Sequence, residues 1–412
     1  MIKADVIVGL QWGDEGKGKL IDFFAKKYDA VARFQGGHNG GHTVPRGSTS
    51  NNELILILGG GMAISPDRFM DECKKIETFG ISLTDRLLIS KKAHLVMPSH
   101  RFLDEVFEQS RGEMKVGISG EGVGPAFADK ANRIGLRVGD IKDHFAEKFA
   151  TQKALHEQLL RSMHYFTLKD LNEIERHWLD GVEYMKQFQF VDTDRQIYEL
   201  LKDDRHVLCE GSRGTMLDCD FGIYPYVTAC NTVSGAACTG LGIPPTHIGD
   251  IYGVMKLYTS RVGFGPMPTE LFDSNAKKLR ERGLEKECGT SRERRIGWLD
   301  LVALKYAIMI NGVTKLILTR CDVFEDFDTI KTCVAYKKDA EYIDYYPYAM
   351  RGDDIDPVYV EMQGWKQRLS DITNKEDLPD AFLDFVAFLE RELGVPVTYV
   401  SVGPKSKQII EM

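Results

Sequence analysis

The stretch from Val6 to Leu20, V-I-V-G-L-Q-W-G-D-E-G-K-G-K-L, carries residue types that together handle phosphate. Gly13, Gly16 and Gly18 interleave with Asp14, Glu15, Lys17 and Lys19. Glycine lets backbone N–H groups close on an anion, and a helix starting just behind them adds partial positive charge. Gly13-x-x-x-x-Gly18-Lys19 has P-loop spacing, but Leu20 stands where a hydroxyl for magnesium is expected. Such a loop must take its metal ligand from elsewhere, and Asp14, inside the turn, is the nominee.

Three further groupings have chemical character. Gln35 to Thr43 contains four glycines with His38, Asn39 and His42. A loop histidine titrates near neutrality and suits a general acid working beside a carboxylate base. Thr319-Arg320-Cys321-Asp322 ends an apolar run and has the layout of the (Asn/Thr)-Lys-x-Asp motif that reads guanine. A carboxylate there accepts both the N1–H and the exocyclic amine, a donor pair that adenine does not present. Arg320 replaces the usual lysine with a plane that can also stack on the base. Finally, Arg292, Arg294 and Arg295 follow Gly289-Thr290-Ser291, which suits capture of phosphate or carboxylate by N–H and guanidinium together.

These groups need a frame, and the hydrophobic pattern supplies one. Val6–Val8, Ala30–Phe34, Leu54–Leu58, Leu87–Ile89, Leu95–Met97, His206–Cys209, Ile248–Thr259, Lys315–Thr319 and Val395–Val402 read as strands. Helices are expected from Leu20, from Ser65-Pro66-Asp67 and over Leu299–Ile310. Residues from about 140 to 201 are charged, poor in glycine and helical in period through Tyr184, Phe188 and Phe190. The expectation is a single α/β domain over residues 1–412. It has a large mostly parallel central sheet, helices on both faces, a P-loop-like phosphate loop, and a helical insertion or subdomain in the middle.

Composition narrows the class. The 412 residues include 53 basic and 61 acidic ones, a net charge of −8, which argues against a general nucleic-acid binder. No apolar run is long enough to span a bilayer, and no leader is expected ahead of the first strand. The 8 cysteines form no C-x-x-C pair, so reduced thiols in a cytoplasmic enzyme are expected.

Taken together, Gln11–Lys19, Gly36–Thr43, Tyr224-Pro225-Tyr226-Val227-Thr228, Pro268–Leu271 and Arg294–Asp300 resemble the adenylosuccinate synthetase family. The likeness runs from residue 5 to about 410. It implies a cytoplasmic homodimer that uses GTP and Mg²⁺ to join L-aspartate to IMP. GTP would phosphorylate the purine 6-oxygen, and the aspartate amine would then displace phosphate. By the same matching, Asp14 is the base and His42 the acid, with Lys17 on the transferring phosphoryl group. Asp14 and the Gly41 carbonyl would hold Mg²⁺. GTP would meet Gly13 through Lys19, Gly41, His42, Thr43, Arg294, Arg320, Asp322, Ser401 and Gly403. IMP would meet Asp14, Lys17, Asn39, Gly40, Gly41, His42, Ser119, Arg213, Thr228 and Arg292, with Arg133 arriving from the neighbouring subunit. Gly289, Thr290, Arg292 and Arg294 would receive the amino acid.

Four positions depart from the family pattern. Glu121 stands where a base is usual, near the amino-acid site, and Arg213 replaces a glutamine beside the purine. The segment after Thr43 is short, with Gly59-Gly60-Gly61 for the usual Gly-Asn-Gly, and Gly289-Thr290-Ser291-Arg292 replaces Thr-Thr-Gly-Arg. One expectation is that Glu121 and Arg213 compensate each other as a pair. The departures also leave open a paralogue that activates a 6-oxopurine nucleotide alike but takes another amine or purine. An idle nucleotide-binding regulator fits less well, because base, acid, lysine and glycine loops survive together.

Overall fold

The structure is a computed structural model and describes residues 2–38, 54–164, 171–285, 293–348, 350 and 355–412. The apolar run Ala4–Gly9 forms β1, with Val6 and Val8 entering one core and Ile7 another on the opposite face. A parallel strand is covered on both faces, which is why the run shows no polar alternation. The other strands of the central sheet are β2 Ala30–Arg33, β3 Ile55–Leu58, β4 Leu87–Ser90, β5 Gln189–Val191 and β6 Val207–Glu210. They continue with β7 Ile248–Lys256, β8 Lys315–Thr319, β9 Val397–Ser401 and β10 Ile409–Glu411.

These make a 10-stranded sheet in the order β10-β9-β8-β7-β1-β6-β2-β3-β4-β5. Only β9 and β10 pair antiparallel. The chain walks outward from β1 to β5, returns as β6 beside β1, then walks out on the other side through β7. The C-terminal end of β1 therefore lies at a topological switch point, where a parallel sheet opens a crevice.

Eleven helices surround the sheet: α1 Lys17–Phe24, α2 Pro66–Glu77, α3 Pro98–Ser110, α4 Val123–Asn132, α5 Phe145–Ser162, α6 Leu171–Met185, α7 Thr193–Lys202, α8 Gly235–Leu241, α9 Ser274–Gly283, α10 Leu301–Asn311 and α11 Asp380–Leu393, among the described residues. Leu20 and Phe24 of α1 pack with Ile7, Tyr252, Ile317 and Tyr399 on one face. Residues of α8, α10 and α11 fill the other face with Val6 and Val8. None of the described helices is long and apolar enough to cross a membrane.

The central segment departs from the helical expectation in one respect. Helical period ends at Met185, and Gln189–Val191 extend the sheet by pairing in parallel with β4. Phe190 is therefore a strand residue: the open edge of β4 offers ladder hydrogen bonds that outweigh a weak local period. The Leu95–Met97 candidate shrinks to His94–Leu95, because Pro98 opens α3. Ile248–Thr259 breaks after Lys256, and Thr259–Arg261 leaves to pair with Arg295–Gly297.

A second core lies under α2, α5 and α6. Trp178 is fully buried, stacks on Phe149 at 5.3 Å and donates Nε1–H to the Val96 carbonyl at 2.7 Å. Beside it, α3, α4 and α5 are tied by His100, Asp129 and His156, all buried. Asp129 Oδ2 lies 2.8 Å from His100 Nε2 and 2.9 Å from His156 Nε2, and also accepts from Gln152. His100 Nδ1 accepts the Met97 N–H at 2.9 Å, so its proton sits on Nε2 and points at the carboxylate. Although the three side chains are close enough to share a cation, this protonation makes them a hydrogen-bond knot.

Candidate active site

The ends of β1, β6, β7, β8 and β9 open on the same edge of the sheet, so motifs far apart in sequence meet there. Gly13 and Gly16 take φ of +88° and +90°, and Asp14 between them takes +58°, a left-handed conformation that aspartate tolerates better than most residues. Its neighbour Glu15 is fully buried, and its Oε1 accepts N–H from Gln11 at 3.1 Å and Gly13 at 2.9 Å. Glu15 Oε2 lies 2.6 Å from Lys17 Nζ, which also donates to the Arg213 carbonyl. The two adjacent carboxylates thus have different duties. Glu15 braces the loop from inside, while the Asp14 side chain is 56% exposed at the tip. Lys17 places its charge in the loop floor.

The guanine-motif strand is joined directly to this loop. Thr319 Oγ1 donates to the Glu15 carbonyl at 2.6 Å. Lys19 Nζ donates to the Gly403 carbonyl at 2.6 Å and to Ser401 Oγ, so two positions at the end of β9 meet the phosphate loop. Burial pulls the Lys19 ammonium down to about 8, with the charge of Asp322 acting in the opposite direction. Arg320 takes φ of +59° and turns the chain so that Asp322 follows beside Lys19. Lys19, Arg320, Asp322, Ser401 and Gly403 are brought together.

On the other side of the tip, Arg294 Nη2 lies 2.9 Å from Asp14 Oδ2. Its Nη1 lies 2.9 Å from Glu285 Oε2. Arg213, in the loop after β6, is half-buried; burial pulls its guanidinium below the ordinary value, with Cys230 and then the charge of Asp14 acting the other way. Thr228 is half-buried and donates its N–H to the Leu217 carbonyl at 2.9 Å. Ser119 is exposed in the turn before α4, and Arg133 is exposed at its end, with φ of +63°. Asn39, Gly40, Gly41, His42, Thr43, Gly289, Thr290 and Arg292 lie outside the described residues.

The expected Glu121–Arg213 pair does not form. Glu121 Oε2 meets His38 Nε2 at 3.0 Å, and Oε1 lies 3.8 Å from Arg68 Nη2. The hydrogen bond from His38, ahead of burial acting the other way, holds the Glu121 carboxyl below the usual range. The reversed charge is therefore taken up locally by a histidine and an arginine, not by Arg213. His38 is accordingly a partner for Glu121; its Nδ1 is buried with no partner among the described residues.

Reading the motifs included Gln11 without giving it a role, and missed Lys256 and Glu285. Gln11 Oε1 accepts the Lys256 N–H at 2.8 Å, and its Nε2 donates to the Tyr258 carbonyl at 2.9 Å, pinning the phosphate loop to β7. Glu285 directly precedes the segment that leads into the arginine knot, and that adjacency was the available signal.

A phosphate loop at the switch point of a parallel sheet, with an exposed carboxylate at its tip and a guanine-type strand end bonded to it, defines a nucleotide-using α/β enzyme. Residues 6–410 match the sequence profile of adenylosuccinate synthetase. The chain belongs to the adenylosuccinate synthetase family. It is 50% identical over 422 residues to the adenylosuccinate synthetase of Phocaeicola vulgatus, covering 100% of this chain and 99% of that one. The Bacteroides thetaiotaomicron enzyme gives the same figures, 50% over 422 residues with 100% and 99% coverage. Among solved structures, the fully ligated adenylosuccinate synthetase of Plasmodium falciparum superposes with a TM-score of 0.92 at 33% identity, covering 100% of both chains. A cyanophage S-2L succinoaminodeoxyadenylate synthetase shares the fold, with a TM-score of 0.62 at 20% identity, over 100% of this chain and 96% of that one.

Proposed function

We infer that this chain is a GTP-dependent ligase that joins L-aspartate to IMP, giving adenylosuccinate for AMP synthesis. The observation that best supports a shared site is the junction of the phosphate loop with the strand ends: Thr319 on Glu15 at 2.6 Å and Lys19 on Gly403 at 2.6 Å. That junction supports reading Asp322 and the phosphate loop as two ends of one nucleotide site.

The proposed roles follow from it. Asp14 takes the proton from purine N1, which makes O6 a nucleophile toward the γ-phosphoryl group of GTP. His42 gives a proton as charge develops, and the aspartate amine then displaces the phosphate from C6. Lys17 and the loop N–H groups stabilise the transferring charge, the work that dominates phosphoryl transfer. Gly13, Gly16, Gly18 and Thr43 line the GTP phosphates. Asn39, Gly40, Ser119, Thr228 and Arg213 hold IMP. Gly289, Thr290, Arg292 and Arg294 receive the amino acid.

Asp14 and the Gly41 carbonyl are the proposed Mg²⁺ ligands, both of them hard oxygens. Leu20, buried in the core, offers no hydroxyl, and Glu15 is spent on the loop, so the exposed Asp14 carboxylate fits the duty. Bound Mg²⁺ would neutralise charge on the phosphoryl oxygens. We also place the enzyme in the cytoplasm as a homodimer, with Arg133, exposed at the end of α4, reaching the neighbouring site.

The test is incubation with GTP, Mg²⁺ and IMP while the amine is varied, following phosphate release and the purine product by mass. Aspartate-dependent adenylosuccinate is expected; turnover only with another amine would overturn the assignment. Nucleotide choice gives a second check. Asp322→Asn loses a charged acceptor for two guanine N–H groups and is expected to lower kcat/KM for GTP about 100-fold. Xanthosine triphosphate, whose 2-oxo group suits the new amide donor, is expected to restore part of it. Unchanged GTP kinetics would remove Asp322 from base reading.

A further inference from the structure

Behind Arg294 lies a buried charge pair, Lys256 and Glu285, that none of the roles above uses. Lys256, the last residue of β7, is fully buried, with Nζ 2.9 Å from Glu285 Oε1. Glu285 is 1% exposed and also accepts from Tyr258 Oη and, at 3.2 Å, from Ser260 Oγ. Its Oε2 holds Arg294 Nη1 at 2.9 Å, and Arg294 Nη2 reaches Asp14 Oδ2 at 2.9 Å. Positive and negative groups alternate from the core to the tip of the phosphate loop.

Burying the charges of Lys256, Glu285 and Arg294 is costly, and well-packed apolar side chains of similar volume are often as stable or more so. What apolar groups cannot do is orient a planar guanidinium by two separate N–H bonds. The reference point is informative. Gln11 fastens the phosphate loop to the backbone of Lys256 and Tyr258, and Glu285 is fastened to the side chains of the same two residues. Loop and arginine are thus measured from one strand end.

We propose that Glu285 is a positioning residue for the ligase reaction, holding the Arg294 guanidinium in register with the phosphate-loop tip through its own ion pair with Lys256. The inference rests on the reading of Arg294 as a residue of the active site. A guanidinium out of place by a fraction of its length loses the transition state more than the ground state, so the effect falls on kcat.

Steady-state kinetics of Glu285→Gln, beside Tyr258→Phe and thermal melting of both, tests this. Glu285→Gln is expected to lower kcat at least tenfold with KM for GTP and IMP within about twofold. Tyr258→Phe disturbs the same buried cluster but leaves the carboxylate on Arg294, and is expected to melt earlier with near-normal kcat. If Glu285→Gln does not fold with Lys256 left unpaired, the double variant Lys256→Met/Glu285→Gln removes both charges and is expected to show the same kcat loss. A normal kcat in the folded variant, or losses in both single variants that track melting temperature, overturns the inference. Arg294→Leu separates the premises: normal turnover there sinks the site reading itself, whereas a slow Arg294→Leu beside a normal Glu285→Gln sinks this inference alone.

Discussion

Asp14→Asn is expected to lower adenylosuccinate formation by about 1,000-fold, the range over which a positioned general base contributes, while GTP binding stays measurable. The substitution keeps the size of the side chain and removes its capacity to take the N1 proton. It should disturb the loop little, because the bracing carboxylate is Glu15: its bonds to Gln11, Gly13 and Lys17 do not involve Asp14. Asparagine also accepts the left-handed backbone that Asp14 adopts. Phosphate release in single-turnover conditions, together with calorimetric titration of GTP, separates chemistry from binding. Turnover near that of the unaltered protein would remove Asp14 as the base. Loss of GTP binding together with turnover would instead make it a structural member of the loop.

The largest effect on stability is expected away from the site, at Asp129. Its Oδ2 receives bonds from His100, His156 and Gln152, and all four side chains are buried. Asp129→Ala leaves three buried donors without an acceptor, at a cost of about 3–5 kcal/mol, read as the urea midpoint at constant slope. The pH dependence has a definite sign. Burial, ahead of the opposing bond to Asp129, pulls His100 below its ordinary value of 6.5, so the unfolded chain takes up that proton first. Stability is fully present above pH 6.5 and declines as pH falls below it. The bonds from the two histidines outweigh burial and hold Asp129 well below its ordinary 3.8, so its share is lost only below that pH. Asp129→Ala should flatten the lower part of the acid limb and keep the upper part. A variant with unchanged acid unfolding below pH 3.8 would show that the knot does not carry this linkage.

How much of this was legible in advance depends on range. β8 at Lys315–Thr319 and the start of α1 behind the glycines follow from local apolar runs and glycine placement. β5 does not: Gln189–Val191 become a strand because β4 presents an open edge, a fact located about a hundred residues upstream. The same limit explains Glu121. Its type and its neighbours in sequence suggested a long-range partner in Arg213, but the chain places it on His38 and Arg68, which lie on unrelated segments.

By itself the sequence determined the residue types on offer: a phosphate loop without its hydroxyl, two carboxylates inside it, a guanine-type motif, an arginine knot, and membership of one family. Residue type and short spacing are local properties, and these features need nothing more. Only the tertiary structure decided which of two adjacent carboxylates faces outward, and that Lys19 reaches Ser401 and Gly403. It also decided that Arg294 stands on Glu285 and Lys256. Those choices depend on the strand order around β1, and strand order is set by burial summed over the whole sheet, which no short stretch records.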